Sequence, residues 1–122
     1  MTKTVLLIDD FDNTLFVTGL TLENAGYKTI KATSANDAIK ILKSDVAVHL
    51  VISDYHMPGM NGVEFITELR KMPGRQNIPA FILSTETKDE VKKSALYAGA
   101  TAWIQKPFKS EKLVEHVKRT IN

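Results

Sequence analysis

The chain of 122 residues carries 16 Lys and Arg against 14 Asp and Glu, with 43% apolar and 25% charged residues. These proportions are those of a water-soluble globular protein with enough apolar side chains for a core, and no run approaches the roughly 18 consecutive apolar residues of a membrane span. The absence of cysteine excludes disulfides, thiolate metal sites and a cysteine nucleophile, and the formal net charge of +2 comes from lysines scattered over helical segments, with no helix-turn-helix or zinc pattern to support nucleic-acid binding.

Hydrophobic patterning alternates strand and helix five times along the chain. The first strand is expected over about Thr4 to Ile8, ending in Asp9-Asp10. A helix follows over about Asn13 to Ala25, with Leu15, Phe16, Leu20 and Leu22 as a partly apolar face and Gly26 as its stop. The second strand, about Tyr27 to Ala32, alternates weakly, as expected near a sheet edge. Ser34 or Asn36 caps the second helix, which runs to about Lys43. The third strand, Leu50 to Ser53, ends in Asp54. After the loop Met57–Gly62 a third helix runs to about Lys71. Met72 to Asn77 reads as a polar turn and not a domain boundary. The fourth strand is Ala80 to Ser84, and the fourth helix is about Lys88 to Ala98, stopped by Gly99. The fifth strand, Ala102 to Gln105, precedes Lys106-Pro107. The last helix is about Ser110 to Ile121, with Leu113, Val117 and Ile121 at helical spacing. Right-handed crossovers then make a doubly wound α/β sheet the natural solution, and residues 1–122 are expected to form one domain.

Short continuous apolar runs flanked by helices read as strands buried on both faces of a parallel sheet. In such sheets ligands bind beyond the carboxyl ends of the strands. Asp9, Asp10, Asp54, the Ser84 hydroxyl and the Lys106 amine therefore converge on one edge. Three crowded carboxylates repel one another unless a cation sits among them. An all-oxygen donor set with open positions suits Mg²⁺, and a nearby lysine points to a phosphoryl group as the visitor.

With these residues in place, the chain resembles the receiver domain of two-component response regulators, and among them the single-domain chemotaxis members. The resemblance runs from Lys3 to about Ile121. It rests on Asp9-Asp10, Asp54 with Met57-Pro58-Gly59-Met60-Asn61-Gly62, Ser84, Ala98-Gly99-Ala100 and Lys106-Pro107-Phe108 taken jointly. It implies a flavodoxin-like five-stranded parallel sheet of order 2-1-3-4-5 with five helices. It places the phosphoacceptor at Asp54 and a Mg²⁺ site at Asp9, Asp10, Asp54 and the backbone carbonyl of His56, with Asp10 a direct ligand. Lys106 is implied to contact phosphoryl oxygens, Ser84 to donate its hydroxyl to one of them, and the Lys106–Pro107 peptide to be cis. Trp103 falls where the family has its switch aromatic, usually Tyr or Phe, so its larger ring is a departure. Ser84 replaces the commoner Thr and keeps the hydroxyl.

The His56 ring is expected at the pocket mouth, with only its backbone engaged; His49 and His116 read as surface residues. The implied function is a phosphorylation-activated signalling switch: a sensor histidine kinase donates, Asp54 accepts, and Ser84 and Trp103 alter the face of helix four, strand five and helix five. Apart from its own phosphorylation and dephosphorylation the chain is not expected to be an enzyme. Nothing secretory precedes the first strand and no output domain follows Asn122, so a cytoplasmic, monomeric protein with a protein target is expected, with the flagellar motor switch suggested by the resemblance and no nucleic acid or membrane as partner. An alternative is a phosphorelay carrier serving a histidine phosphotransfer protein. A haloacid-dehalogenase-like phosphatase is disfavoured, because the chain carries no cap insertion.

Overall fold

The computed structural model describes residues 2–122. Five parallel strands form one sheet in the order β2-β1-β3-β4-β5: β1 Thr4–Ile8, β2 Lys28–Ala32, β3 Leu50–Asp54, β4 Ala80–Ser84 and β5 Ala102–Gln105. The helices between and after them are α1 Asp12–Asn24, α2 Ala35–Lys43, α3 Gly62–Leu69, α4 Asp89–Ala98 and α5 Ser110–Ile121. The order 2-1-3-4-5 is the doubly wound arrangement, in which the chain reverses direction across the sheet between β1 and β3.

Strand alternation sorts the apolar side chains into two layers. Leu6, Ile8, Val51, Ala80 and Ile82 pack with Ala38 and Leu42 of α2, Phe65, Ile66 and Leu69 of α3, and Ala95 of α4. Val5, Leu7, Leu50, Ile52, Phe81, Leu83 and Ile104 pack with Leu15 and Leu22 of α1 and Leu113 and Val117 of α5. The central strands β1, β3 and β4 are buried along their whole length, which is why their sequences are continuously apolar. At the edges, β2 and β5 are only partly covered.

Helix ends follow local chemistry. Ser34, not Asn36, caps α2: its hydroxyl accepts from the Asp37 N–H at 3.1 Å. A reciprocal capping box starts α3, with Asn61 Oδ1 accepting from Glu64 N–H and Glu64 Oε1 accepting from Asn61 N–H. Gly99 ends α4 at φ 111°, a left-handed conformation that costs glycine little. The Lys106–Pro107 peptide is cis.

Three expectations need correction. On α1 the buried face is Leu15, Thr18, Gly19 and Leu22, whereas Phe16 and Leu20 are 63% and 45% exposed. Thr18 and Gly19 lie on the inner face, and a Cβ on Gly19 would lie 2.7 Å from Cε of the Lys31 side chain. His49 is half-buried, because its Nδ1 accepts from Thr4 N–H at 3.0 Å and its own N–H donates to Thr4 O at 2.9 Å, prolonging the β1–β3 pairing. His116 is also half-buried, its ring set edge-on to Phe81 at 6.1 Å.

Candidate functional site

The carboxyl ends of β1, β3, β4 and β5 bring Asp9, Asp10, Asp54, Ser84 and Lys106 to one edge, as the strand runs imply. Oxygens of Asp9, Asp10 and Asp54 lie within 4.8 Å of one another. Asp9 and Asp54 are buried and Asp10 is exposed, so the cluster opens to solvent on the Asp10 side. Lys106 Nζ donates to Asp54 Oδ1 at 2.7 Å. The lysine is positioned by its backbone, whose N–H donates to Ser84 O at 2.8 Å and so continues the β4–β5 ladder to the pocket.

Electrostatics follow from this packing. Burial raises the Asp9 carboxyl above its ordinary value of 3.8, and the charges of Asp54 and Asp10 push the same way. The Phe11 N–H, which donates to Asp9 Oδ1 at 3.0 Å, and the Lys106 ammonium oppose that rise. One lysine against three carboxylates leaves excess negative charge. An all-oxygen, partly open cluster of this kind fits a hard divalent cation such as Mg²⁺.

The floor of the site depends on Gly62. The Gly62 N–H donates to Tyr55 O at 2.9 Å, and a Cβ at Gly62 would sit 2.8 Å from the Asp54 carbonyl oxygen and 2.8 Å from Ile82 Cδ1. Only a residue without a side chain lets α3 begin directly beneath the end of β3. His56 is exposed, and its ring stands edge-on to Tyr55 at 4.7 Å.

Ser84 is buried, and its hydroxyl oxygen accepts from the Glu86 N–H at 2.9 Å. Trp103 is half-buried. Its ring packs on the layer beneath α2, α3 and α4 and lies 5.7 Å from the Tyr55 ring, tilted by 49°. A second tie crosses from β5 to the loop after β4, where Gln105 Nε2 donates to Thr85 O at 2.9 Å. Tyr55, Thr85, Gln105 and the steric role of Gly62 escape a reading of the sequence. Gln105 had one available signal, its place two residues from Trp103 on the same strand face.

A five-stranded doubly wound sheet with an acidic pocket and a lysine at its carboxyl edge defines a class of α/β proteins that handle phosphoryl groups beside a cation. The family model for the response regulator receiver domain matches residues 5–118, and the chain belongs to that family. It is therefore a receiver domain of the two-component response-regulator family, a family of phosphorylation-dependent signalling. Receiver domains hold Mg²⁺ at such an acidic cluster. Among solved structures, the Vibrio cholerae chemotaxis protein CheY4 is similar with a TM-score of 0.90 and 33% identity, over 98% of this chain and 99% of that one. A CheY-like receiver domain protein from Methanospirillum hungatei JF-1 is similar with a TM-score of 0.92 and 26% identity, over 99% of this chain and 94% of that one. The sensory/regulatory protein RpfC of Xanthomonas campestris pv. campestris is 32% identical over 113 residues, which are 91% of this chain and 15% of RpfC. The chain thus spans about 15% of the length of that relative. Among the described residues no helix is long and apolar enough to cross a membrane.

Proposed function

We propose that residues 1–122 form one receiver domain whose Asp54 accepts a phosphoryl group from the phosphohistidine of a sensor kinase. A carboxylate oxygen of Asp54 attacks phosphorus, the P–N bond breaks, and the imidazole leaves with the bonding pair and takes up a proton. The observation that carries this reading is the Lys106–Asp54 contact of 2.7 Å inside the acidic cluster. It marks the carboxylate beside which a second anion would find a cation. Asp9, Asp10, Asp54 and the His56 carbonyl would hold Mg²⁺, which neutralises charge on the phosphoryl oxygens during transfer. Lys106 orients the same oxygens, and the Ser84 hydroxyl donates to one of them once it leaves the Glu86 N–H. The chain is then a switch that catalyses only its own phosphorylation and dephosphorylation.

Movement of Ser84 draws the loop after β4 toward the pocket and changes the face formed by α4, β5 and α5, where Trp103 reports the state. The likeness to the chemotaxis protein CheY4 supports a role in chemotaxis; the same reading takes the flagellar motor switch as the target and a cytoplasmic monomer as the working form. A relay carrier would need no coupling between Ser84 and Trp103, and no observation favours it. Acetyl phosphate with Mg²⁺ should label the chain once, and Asp54→Asn should abolish the label. A label that mass spectrometry locates elsewhere, or that survives in Asp54→Asn, would reassign the acceptor.

A further inference from the structure

Two polar atoms on β5 are buried without a hydrogen-bond partner: the Trp103 Nε1–H, a donor, and Gln105 Oε1, an acceptor. Buried polar groups are nearly always paired, so an orphan in a packed layer calls for a reason. These two are chemically complementary. They also stand two residues apart on one strand, which puts both side chains on the same face of the sheet. Same-face neighbours are separated by roughly 6.6 Å along a strand, within reach of an indole and a carboxamide.

What separates them is the tie to the loop after β4. The Gln105 carboxamide nitrogen donates to Thr85 O at 2.9 Å. Because a backbone carbonyl can only accept, the nitrogen must face Thr85, and the oxygen is turned into the interior. One residue on, the same loop is held by Ser84 Oγ, which accepts from the Glu86 N–H at 2.9 Å. The loop is therefore tethered at two consecutive residues, once by the proposed switch hydroxyl and once by Gln105.

We propose that Trp103 Nε1–H and Gln105 Oε1 are the two halves of one hydrogen bond that is open in this state and closes on activation. This rests on the proposed role of Ser84. When the Ser84 hydroxyl turns to the phosphoryl group, the Glu86 tether is lost and the loop shifts. Gln105 Nε2 then releases Thr85 O, and the carboxamide swings its oxygen to the indole. Gln105 is thus a positioning residue that converts loop movement into a fixed setting of the Trp103 ring. A phenylalanine in place of Trp103 would have no donor for this bond, so the large aromatic is matched to the glutamine.

The test uses the single tryptophan, labelled with ¹⁵N in the indole ring, so that its N–H gives one resonance. Beryllofluoride with Mg²⁺ serves as the stand-in for the phosphoryl group, and the ¹⁹F signal of bound beryllofluoride reports occupancy of the pocket separately. In the wild type, binding should move the indole proton downfield and slow its exchange with water roughly tenfold, the factor expected for one net hydrogen bond. Gln105→Leu should bind beryllofluoride equally while the indole resonance stays in place. Gln105→Glu keeps an acceptor but cannot donate to Thr85 O, so its indole resonance should already be shifted without beryllofluoride. An equal downfield shift in Gln105→Leu, or an unmoved resonance in wild type with beryllofluoride bound, overturns the pairing. Absent ¹⁹F binding, the reading of the pocket fails instead, and an unshifted indole in Gln105→Glu would still overturn the pairing.

Discussion

Asp54 and Lys106 lie 52 positions apart in the chain and 2.7 Å apart in space, and their charges govern what the pocket does. Removing the ammonium by Lys106→Ala takes away the cation proposed to contact phosphoryl oxygens and leaves every carboxylate in place. Mg²⁺ affinity should stay within about threefold of wild type or tighten, while phosphorylation-dependent partner binding is lost, a change within the usual coupling range of about 1–3 kcal/mol. Calorimetric Mg²⁺ titration beside a partner pull-down reads both, and a collapse of metal affinity with switching intact would reassign the lysine. Asp9 makes a pH prediction. Its folded-state carboxyl titrates above 3.8, chiefly because it is buried and beside Asp54. As pH rises past 3.8, the unfolded chain loses this proton first, so stability falls until the folded-state value is passed and stays reduced above it. Asn at this position keeps the oxygen that accepts from Phe11 N–H and drops the charge. Without divalent cations, Asp9→Asn should melt a few °C higher than wild type at pH 7, roughly 1 kcal/mol for a domain of this size, and the gain should vanish below pH 3.8. A lower melting temperature at pH 7 in calorimetry would contradict the sign.

At the level of elements, the start of α3 is the most constrained junction. A methyl at Gly62 meets the Asp54 carbonyl and Ile82 at 2.8 Å each, so either the helix or the end of β3 must yield. Gly62→Ala should cost about 1–3 kcal/mol, the range for overpacking, and weaken Mg²⁺ binding because Asp54 moves with its strand. Urea unfolding with and without Mg²⁺ would show this, and an unchanged midpoint would mean the junction is softer than its geometry. Helix α4 is the opposite case, contributing only Ala95 to the buried interior. Its C-terminal turn is instead held by Arg70, which donates to Gly99 O at 2.7 Å and 3.2 Å and to Ile78 O at 2.6 Å. A helix with little buried surface but a pinned end can shift at modest cost, which suits an output element.

Across the whole molecule, the pocket edge adjoins an apolar surface that the core does not need. Phe16, Val17 and Leu20 on α1 are 63%, 60% and 45% exposed. A groove of about 580 Å³ runs from Val17 and Thr14 past Phe108 to Lys106. A kinase that delivers phosphohistidine to Asp54, as proposed, approaches over this edge, where Phe11 is 70% exposed with its N–H on Asp9, and Val17 lines the groove with Phe16 next to it in the chain. Phe16→Glu with Val17→Glu should slow transfer from the cognate kinase about a hundredfold or more, since roughly 1.5–3 kcal/mol for each of two apolar side chains newly buried sums to about 3–6 kcal/mol. Labelling by acetyl phosphate, which needs no protein docking, should be unchanged. Equal slowing with both donors would show that the variant damages the pocket and not the approach.

The amino-acid pattern alone determined the strands β1, β3 and β4 and the convergence of Asp9, Asp10, Asp54, Ser84 and Lys106. Strands buried on both faces are written as unbroken apolar runs, and the polar residue that ends each run marks the functional edge. The receiver family was legible for the same reason, since its motifs sit at those ends. Tertiary structure alone decided which face of α1 is buried: Thr18 and Gly19 turn inward while Phe16 and Leu20 remain outside. It also decided that His49 completes the β1–β3 pairing and that Gly62 must lack a side chain. The tie from Gln105 to Thr85 was likewise visible only in three dimensions. Periodicity reports how one segment presents its side chains, whereas these features depend on the distance between segments remote in the chain, which is set only when the layers pack.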